Sequence, residues 1–230
     1  MTGLSSQRTL YKLQTWFSPS FPVGAYTYSH GLEFAYETGL IKNVDDAVDW
    51  ISHIIKFGSG FADLVFLKEA HIAVSKSDFE HLSVVAEFAT AFAGTVELRL
   101  ESEAQGAAFI ETIQKVEPLS GINSFTDKWP GPYAYSVVIG VASGDLAIDS
   151  RAVAMAYLHG FVANLASALV RIIPLGQTDG QRIISALAPI VEQTVEQALE
   201  TELDDLSTST MMVDLTSMQH ETQYTRLFRS

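Results

Sequence analysis

Nineteen consecutive residues, Ala152 to Val170, carry no Lys, Arg, Asp or Glu, and any fold of this chain has to place that stretch away from bulk water. A bilayer would accept a helix of about twenty apolar residues. The stretch reads instead as a buried helix of a globular core. His159, Gly160 and Asn164 interrupt it, and its alanines suit close packing between helices.

The rest of the chain repeats the helical period. Val44, Val48, Ile51 and Ile55 form one stripe behind Asn43, a suitable N-cap, and Val191, Val195 and Leu199 form another. Ser77 to Glu80 has the Ser-x-x-Glu capping pattern, and Thr178 to Gln181 has the Thr-x-x-Gln form ahead of Ile183 and Ile184. Strand signals are scarce. Tyr133 to Val141 is the best candidate, but it has no hairpin partner and is read as a short helix. The expected helices lie near 7–17, 30–39, 44–58, 60–75, 78–92, 95–115, 132–143, 149–171 and 179–200. Glu117 to Gly131, with Pro118, Gly121, Asn123 and Pro130, reads as the longest loop. The expectation is an all-α, single compact multi-helix domain of roughly nine to ten helices over residues 1–206, followed by a tail, 207–230.

At 230 residues and 47% hydrophobic, the chain can bury a core without staples, and it has no Cys for disulfides, thiolate metal sites or a Cys nucleophile. That fits a reducing compartment such as the cytoplasm. Met1 to Leu10 has no apolar signal core. A formal charge of -13 argues against nucleic acid or an anionic membrane as the main partner.

Signatures of catalysis are sparse: there is no phosphate loop, dinucleotide turn, HExxH or GxSxG. None of the six histidines recurs at the spacing that puts two ligands on one helix face, so no preformed metal site is expected. Ser29 beside His30 suggests a nucleophile and its base, but sequence neighbours seldom face one substrate, and no orienting acid is evident.

Three segments look over-specified for packing alone. Ser18 to Glu33 holds Pro19, Pro22 and Gly24 in a loop crowded by Tyr26, Tyr28 and His30. Arg171 to Gln181 turns a helix corner with Pro174 and Gly176 but leaves Arg171, Gln177 and Gln181 unexplained. His220 to Ser230 puts aromatic and basic residues at the end of an acidic chain, to anchor on a partner or to fold back on the domain.

Together, in this order, the three segments resemble the UreF family of urease accessory proteins. The pattern S-P-x-x-P-V-G-x-[FY]-x-[YF]-S-x-G-L-E is matched by Ser18, Pro19, Pro22, Val23, Gly24, Tyr26, Tyr28, Ser29, Gly31, Leu32 and Glu33. The pattern R-x-x-P-L-G-Q-x-x-[GA]-Q is matched by Arg171, Pro174, Leu175, Gly176, Gln177, Gly180 and Gln181, and H-E-x-Q-Y-x-R-L-F-R-S by His220 to Ser230. The resemblance implies a non-enzymatic, homodimeric, all-helical assembly factor. It would bridge a UreD (or UreH) accessory protein and the GTPase UreG in delivering nickel to apo-urease. GTP would bind the partner, nickel would transit the complex, and no cofactor would be held permanently. Tyr224, Arg226, Leu227, Phe228 and Arg229 would dock the UreD/UreH-like partner. Arg171, Gln177 and Gln181 would face the dimer or the GTPase, and Tyr26, Tyr28, Ser29 and Glu33 would shape the N-terminal surface. The alternatives are a helical adaptor unrelated to urease and a metallochaperone that binds nickel directly.

Overall fold

The computed structural model describes residues 6–230 and has eleven α-helices and no strand among them: α1 (Ser6–Trp16), α2 (Leu32–Glu37), α3 (Val44–Phe57), α4 (Ser59–Ser75), α5 (Phe79–Phe92), α6 (Val96–Val116), α7 (Ser120–Lys128), α8 (Tyr135–Asp145), α9 (Ser150–Ile172), α10 (Gln177–Glu200) and α11 (Met211–His220). Met1 to Ser5, half of the stretch read as lacking a signal core, lie outside the described residues.

The charge-free stretch is the body of α9, started by Asp149, whose carboxylate accepts the Ala152 N–H at 2.9 Å. Residues 44–75 and 150–172 are apolar enough by composition to cross a membrane, and each buries about half or more of its apolar window against other helices. Helix α9 runs along α10, both lie against α4, and α4 packs closely on α8. That pair explains the strand-like composition around Val137 to Val141. Every residue from Ser136 to Gly144 is buried, so α8 is apolar on all sides, as a helix enclosed by others must be. Gly140 and Gly144, one turn apart, set its approach to α4. A Cβ on Gly140 would lie 2.4 Å from the Leu67 carbonyl oxygen, and one on Gly144 would lie 2.6 Å from that of His71.

Four local expectations need correction. The loop expected from Glu117 to Gly131 contains α7, whose Ile122 and Phe125 enter the core. The expected tail after residue 206 contains α11. Helix α5 is capped by Asp78 rather than Ser77: Asp78 accepts the His81 N–H at 3.0 Å, while Ser77 sits at φ 57. Helix α10 starts at Gln177 behind Gly176, whose N–H reaches back to Asp179 at 3.1 Å, so Thr178 is inside the helix and not its cap. The Asn43 cap is as expected, accepting from Asp46 N at 3.0 Å.

Candidate functional site

The three over-specified segments meet at one place. The first makes the floor: Gly24 turns the chain at φ 76, a short 3-10 turn covers Ala25–Thr27, and His30 (φ 59) and Gly31 (φ 77) swing it into α2. Gly31 is doubly constrained, because a Cβ there would also lie 2.9 Å from Ser217 N and from Thr216 Oγ1. Helix α11 therefore rests on the start of α2. Its other contact is α6, where Thr95 caps the helix through Leu98 N and shares a 2.8 Å hydrogen bond with Ser217 Oγ.

At the end of α11, His220 is fully enclosed between two carboxylates: Nδ1 lies 2.9 Å from Glu97 and Nε2 3.3 Å from Glu33. Each ring nitrogen thus has a carboxylate oxygen within hydrogen-bond reach. Burial pushes the Glu97 carboxyl above its ordinary range, against the opposing pull of His220 and of Arg226, whose guanidinium is 3.3 Å away. Glu33 has a second task. Its oxygens accept the backbone N–H groups of Leu227 (2.8 Å) and Phe228 (3.0 Å), so one carboxylate in the first turn of α2 holds the fold-back of the tail.

The last residues complete a clasp. Arg229 N donates to Thr27 O (2.8 Å), Ser29 N and Oγ both donate to Ser230 O (2.7 and 2.5 Å), and Ser230 Oγ donates to Glu101 (2.9 Å). The Phe228 ring is buried beneath Arg171, whose guanidinium carbon is 4.4 Å from the ring centroid, and Arg171 donates to Tyr26 O at 2.6 Å. Arg171 thus joins the helix corner, the N-terminal loop and the tail.

Of the expected docking residues, Phe228 is committed inside the chain, whereas Tyr224, Arg226, Leu227 and Arg229 are exposed. Tyr26 is exposed and Tyr28 buried. Gln177 and Gln181 point outward from the start of α10, and Arg171 is engaged by Phe228 and Tyr26. Beside the clasp, α11 exposes Met211, Met212, Leu215 and Met218, a face the tail reading missed although its i, i+1, i+4, i+7 spacing was visible.

Under the N-terminal loop lies a cavity of about 660 Å³, walled by Phe17, Phe21, Phe66, Phe92, Tyr135 and Tyr157. Asp63 enters it and accepts the Tyr157 hydroxyl at 2.7 Å. Burial pushes its carboxyl up to about 6, although Tyr157 pulls the other way. The Tyr157 and Tyr135 hydroxyls are pushed up by burial and by the Asp63 charge. His30 also borders the cavity. It is not paired with Ser29, which turns to Ser230; Nε2 meets Ser59 Oγ at 2.7 Å and Nδ1 meets Glu101 at 3.2 Å. Among the described residues, no group of three or more His, Asp or Glu is arranged to hold a metal ion.

A protein-family model described as UreF matches residues 41–188. The chain is 46% identical over 222 residues to a protein named urease accessory protein UreF from Rhodopseudomonas palustris strain BisB5, covering 96% of this chain and 91% of that one. Proteins of the same name from Bradyrhizobium sp. (45% over 224 residues, 96% and 92% covered) and Bradyrhizobium diazoefficiens (41% over 221 residues, 96% and 91% covered) are similar along the same length.

Proposed function

The chain belongs to the UreF family of urease accessory proteins, and from that membership and the clasp geometry we propose that it is a scaffold in the maturation of urease. It joins a UreD/UreH-like accessory protein and a UreG-like GTPase into a complex that delivers nickel to apo-urease. In this reading nickel is cargo, GTP binds the GTPase, the scaffold regulates that GTPase by contact, and it works in the cytoplasm as a homodimer.

The division of the terminal motif carries the proposal. Glu33, Glu97 and Glu101 take the inward groups of the tail and set its path, so the outward groups are presented on a rigid support. Tyr224, Leu227, Arg226 and Arg229 are left exposed, as are the methionines of α11, and together they supply apolar anchors and arginines for one docking surface. This surface is the one assigned to the UreD/UreH-like partner. Gln177 and Gln181, exposed at the start of α10, remain assigned to the dimer or GTPase side, with Arg171 holding the clasp from below.

The test is co-purification with the UreD-like and UreG-like partners, read by light-scattering mass. Tyr224→Ala with Leu227→Ala should abolish the complex while helical circular dichroism and the melting midpoint stay at wild-type values. A complex of wild-type mass and yield with that variant would overturn the assignment. Phe228→Ala is the poorer probe, since it empties a buried pocket and disturbs the clasp itself.

A further inference from the structure

We propose that Ser59, His30 and Glu101 form a nucleophile, base and orienting acid that hydrolyse neutral carboxylic esters in the cavity under the N-terminal loop. Ser59 is the first residue of α4, His30 sits in the left-handed turn before α2, and Glu101 is in the second turn of α6. All three border the same cavity. The order of contacts fixes the roles. Glu101 as a carboxylate only accepts, so His30 Nδ1 at 3.2 Å carries the proton, leaving Nε2 to accept from Ser59 Oγ at 2.7 Å. Glu101 is itself held by Gln105 (3.2 Å) and Ser230 (2.9 Å), and His30 and Glu101 are both buried. Ser59 Oγ has no hydrogen-bond partner other than His30 among the described residues.

Two further features suit the reaction. The first N–H groups of α4 have no acceptor within their own helix, and Gly58 brings no side chain to cap them, so the oxyanion is assigned to these donors. The cavity is large enough for a small organic ester, and Phe17, Phe21, Phe66, Phe92 and Phe161 give it apolar wall surface. Asp63, Glu101 and Asp214 border it without any Lys or Arg, which disfavours anionic substrates and leaves neutral esters of apolar acids. Ser59 Oγ adds to the ester carbonyl carbon as its proton passes to His30 Nε2. The C–O bond to the alcohol breaks, and the alcohol leaves with that proton. Water then adds to the acyl-Ser59 carbonyl, giving its proton to His30. Ser59 departs with the proton, the acid is released, and no group is oxidised or reduced.

This inference does not depend on the scaffold role. Full-length protein is assayed with p-nitrophenyl butyrate and, separately, with a fluorophosphonate probe followed by peptide mapping. The expected result is one equivalent of probe on Ser59 and ester turnover that falls at least about 10²-fold in Ser59→Ala and in His30→Asn. Asn tolerates positive φ, so the turn before α2 is kept, and unchanged melting midpoints certify both variants. Glu101→Gln should lower kcat at least tenfold with KM unchanged, as expected of a group that positions the base. Absence of label on Ser59, or turnover by Ser59→Ala equal to wild type, overturns the proposal. Ser59→Ala should still assemble with the accessory partners, and Tyr224→Ala with Leu227→Ala should still be labelled, so the two readings fail separately.

Discussion

Removing the Glu33 carboxylate should open the tail without loosening the core. In the native chain it accepts the Leu227 and Phe228 N–H groups and faces His220 Nε2. Hydrogen bonds to a charged acceptor contribute about 1.5–3 kcal/mol each. The Glu33 side chain is 12% exposed, so water recovers part of the loss in Glu33→Ala, and the low end applies: about 3 kcal/mol for the two backbone donors. At about 1.4 kcal/mol per decade, amide exchange at Leu227 and Phe228 should accelerate by about 10²-fold. The assay is native-state hydrogen exchange by NMR, with α4 and α8 amides as internal references. Glu37→Ala, which removes only the exposed partner of Gln223, should produce a much smaller change. Wild-type exchange at Leu227 and Phe228 in Glu33→Ala would refute the clasp. So would an equal acceleration throughout α4 and α8, since the loss would then be global.

Three other outcomes follow from the same geometry. Asp63 binds its proton more tightly folded, near 6, than unfolded, near 3.8, so its contribution to stability is present in acid and lost as pH rises between those values. The shift corresponds to about 3 kcal/mol at most, and to about 2 after allowing for water in the cavity, so Asp63→Asn should melt higher than wild type at pH 8 and converge with it near pH 4; parallel pH curves would exclude this. Gly140→Ala would drive a methyl against the Leu67 carbonyl and should cost about 3 kcal/mol or more in denaturant unfolding, since backbone cannot yield as a side chain does. Arg171→Ala removes the cover over Phe228 and the bond to Tyr26; with about 1–2 kcal/mol lost, tail exchange should rise roughly tenfold, and an unchanged rate would show that Phe228 is held by its other neighbours.

The helices readable from the sequence are those whose buried side is apolar. Helix α3 shows Ile51 and Ile55 on its inner face behind the Asn43 cap, and α9 has no charged residue over most of its length to present to water. Helix α7 was hidden because its nine residues carry only Ile122 and Phe125 as a periodic signal between proline-rich flanks. Helix α11 was hidden for the opposite reason: its amphipathicity is inverted. Thr216, Ser217 and His220 face inward with Val213, because the surface they cover consists of Glu33, Glu97, Thr95 and the turn at Gly31, while the methionines face out. An apolar-face rule assigns such a segment to solvent. The His30, Ser59 and Glu101 cluster had no signal at all, since its members are 29 and 42 residues apart along the chain and meet only through the turn at His30 and the break at Gly58.

The inverted helix also explains how an acidic protein can hold a basic tail without consuming it. Three carboxylates at the start of α2 and along the first turns of α6 take backbone N–H groups, one imidazole and one hydroxyl from the tail, and only Arg226 gives them a guanidinium contact. Arg229 enters the clasp through its backbone N–H alone, and its side chain is left to solvent. Because the acids bind main chain, an imidazole and a hydroxyl, and Arg226 alone of the two arginines, the path of the tail is set without the charge of Arg229. In the proposed scaffold, a partner that engaged Arg229, Tyr224 and Leu227 would not compete with the bonds that hold them in place. Had the carboxylates paired with both arginines, docking would require those pairs to break first, and partner binding would carry that penalty.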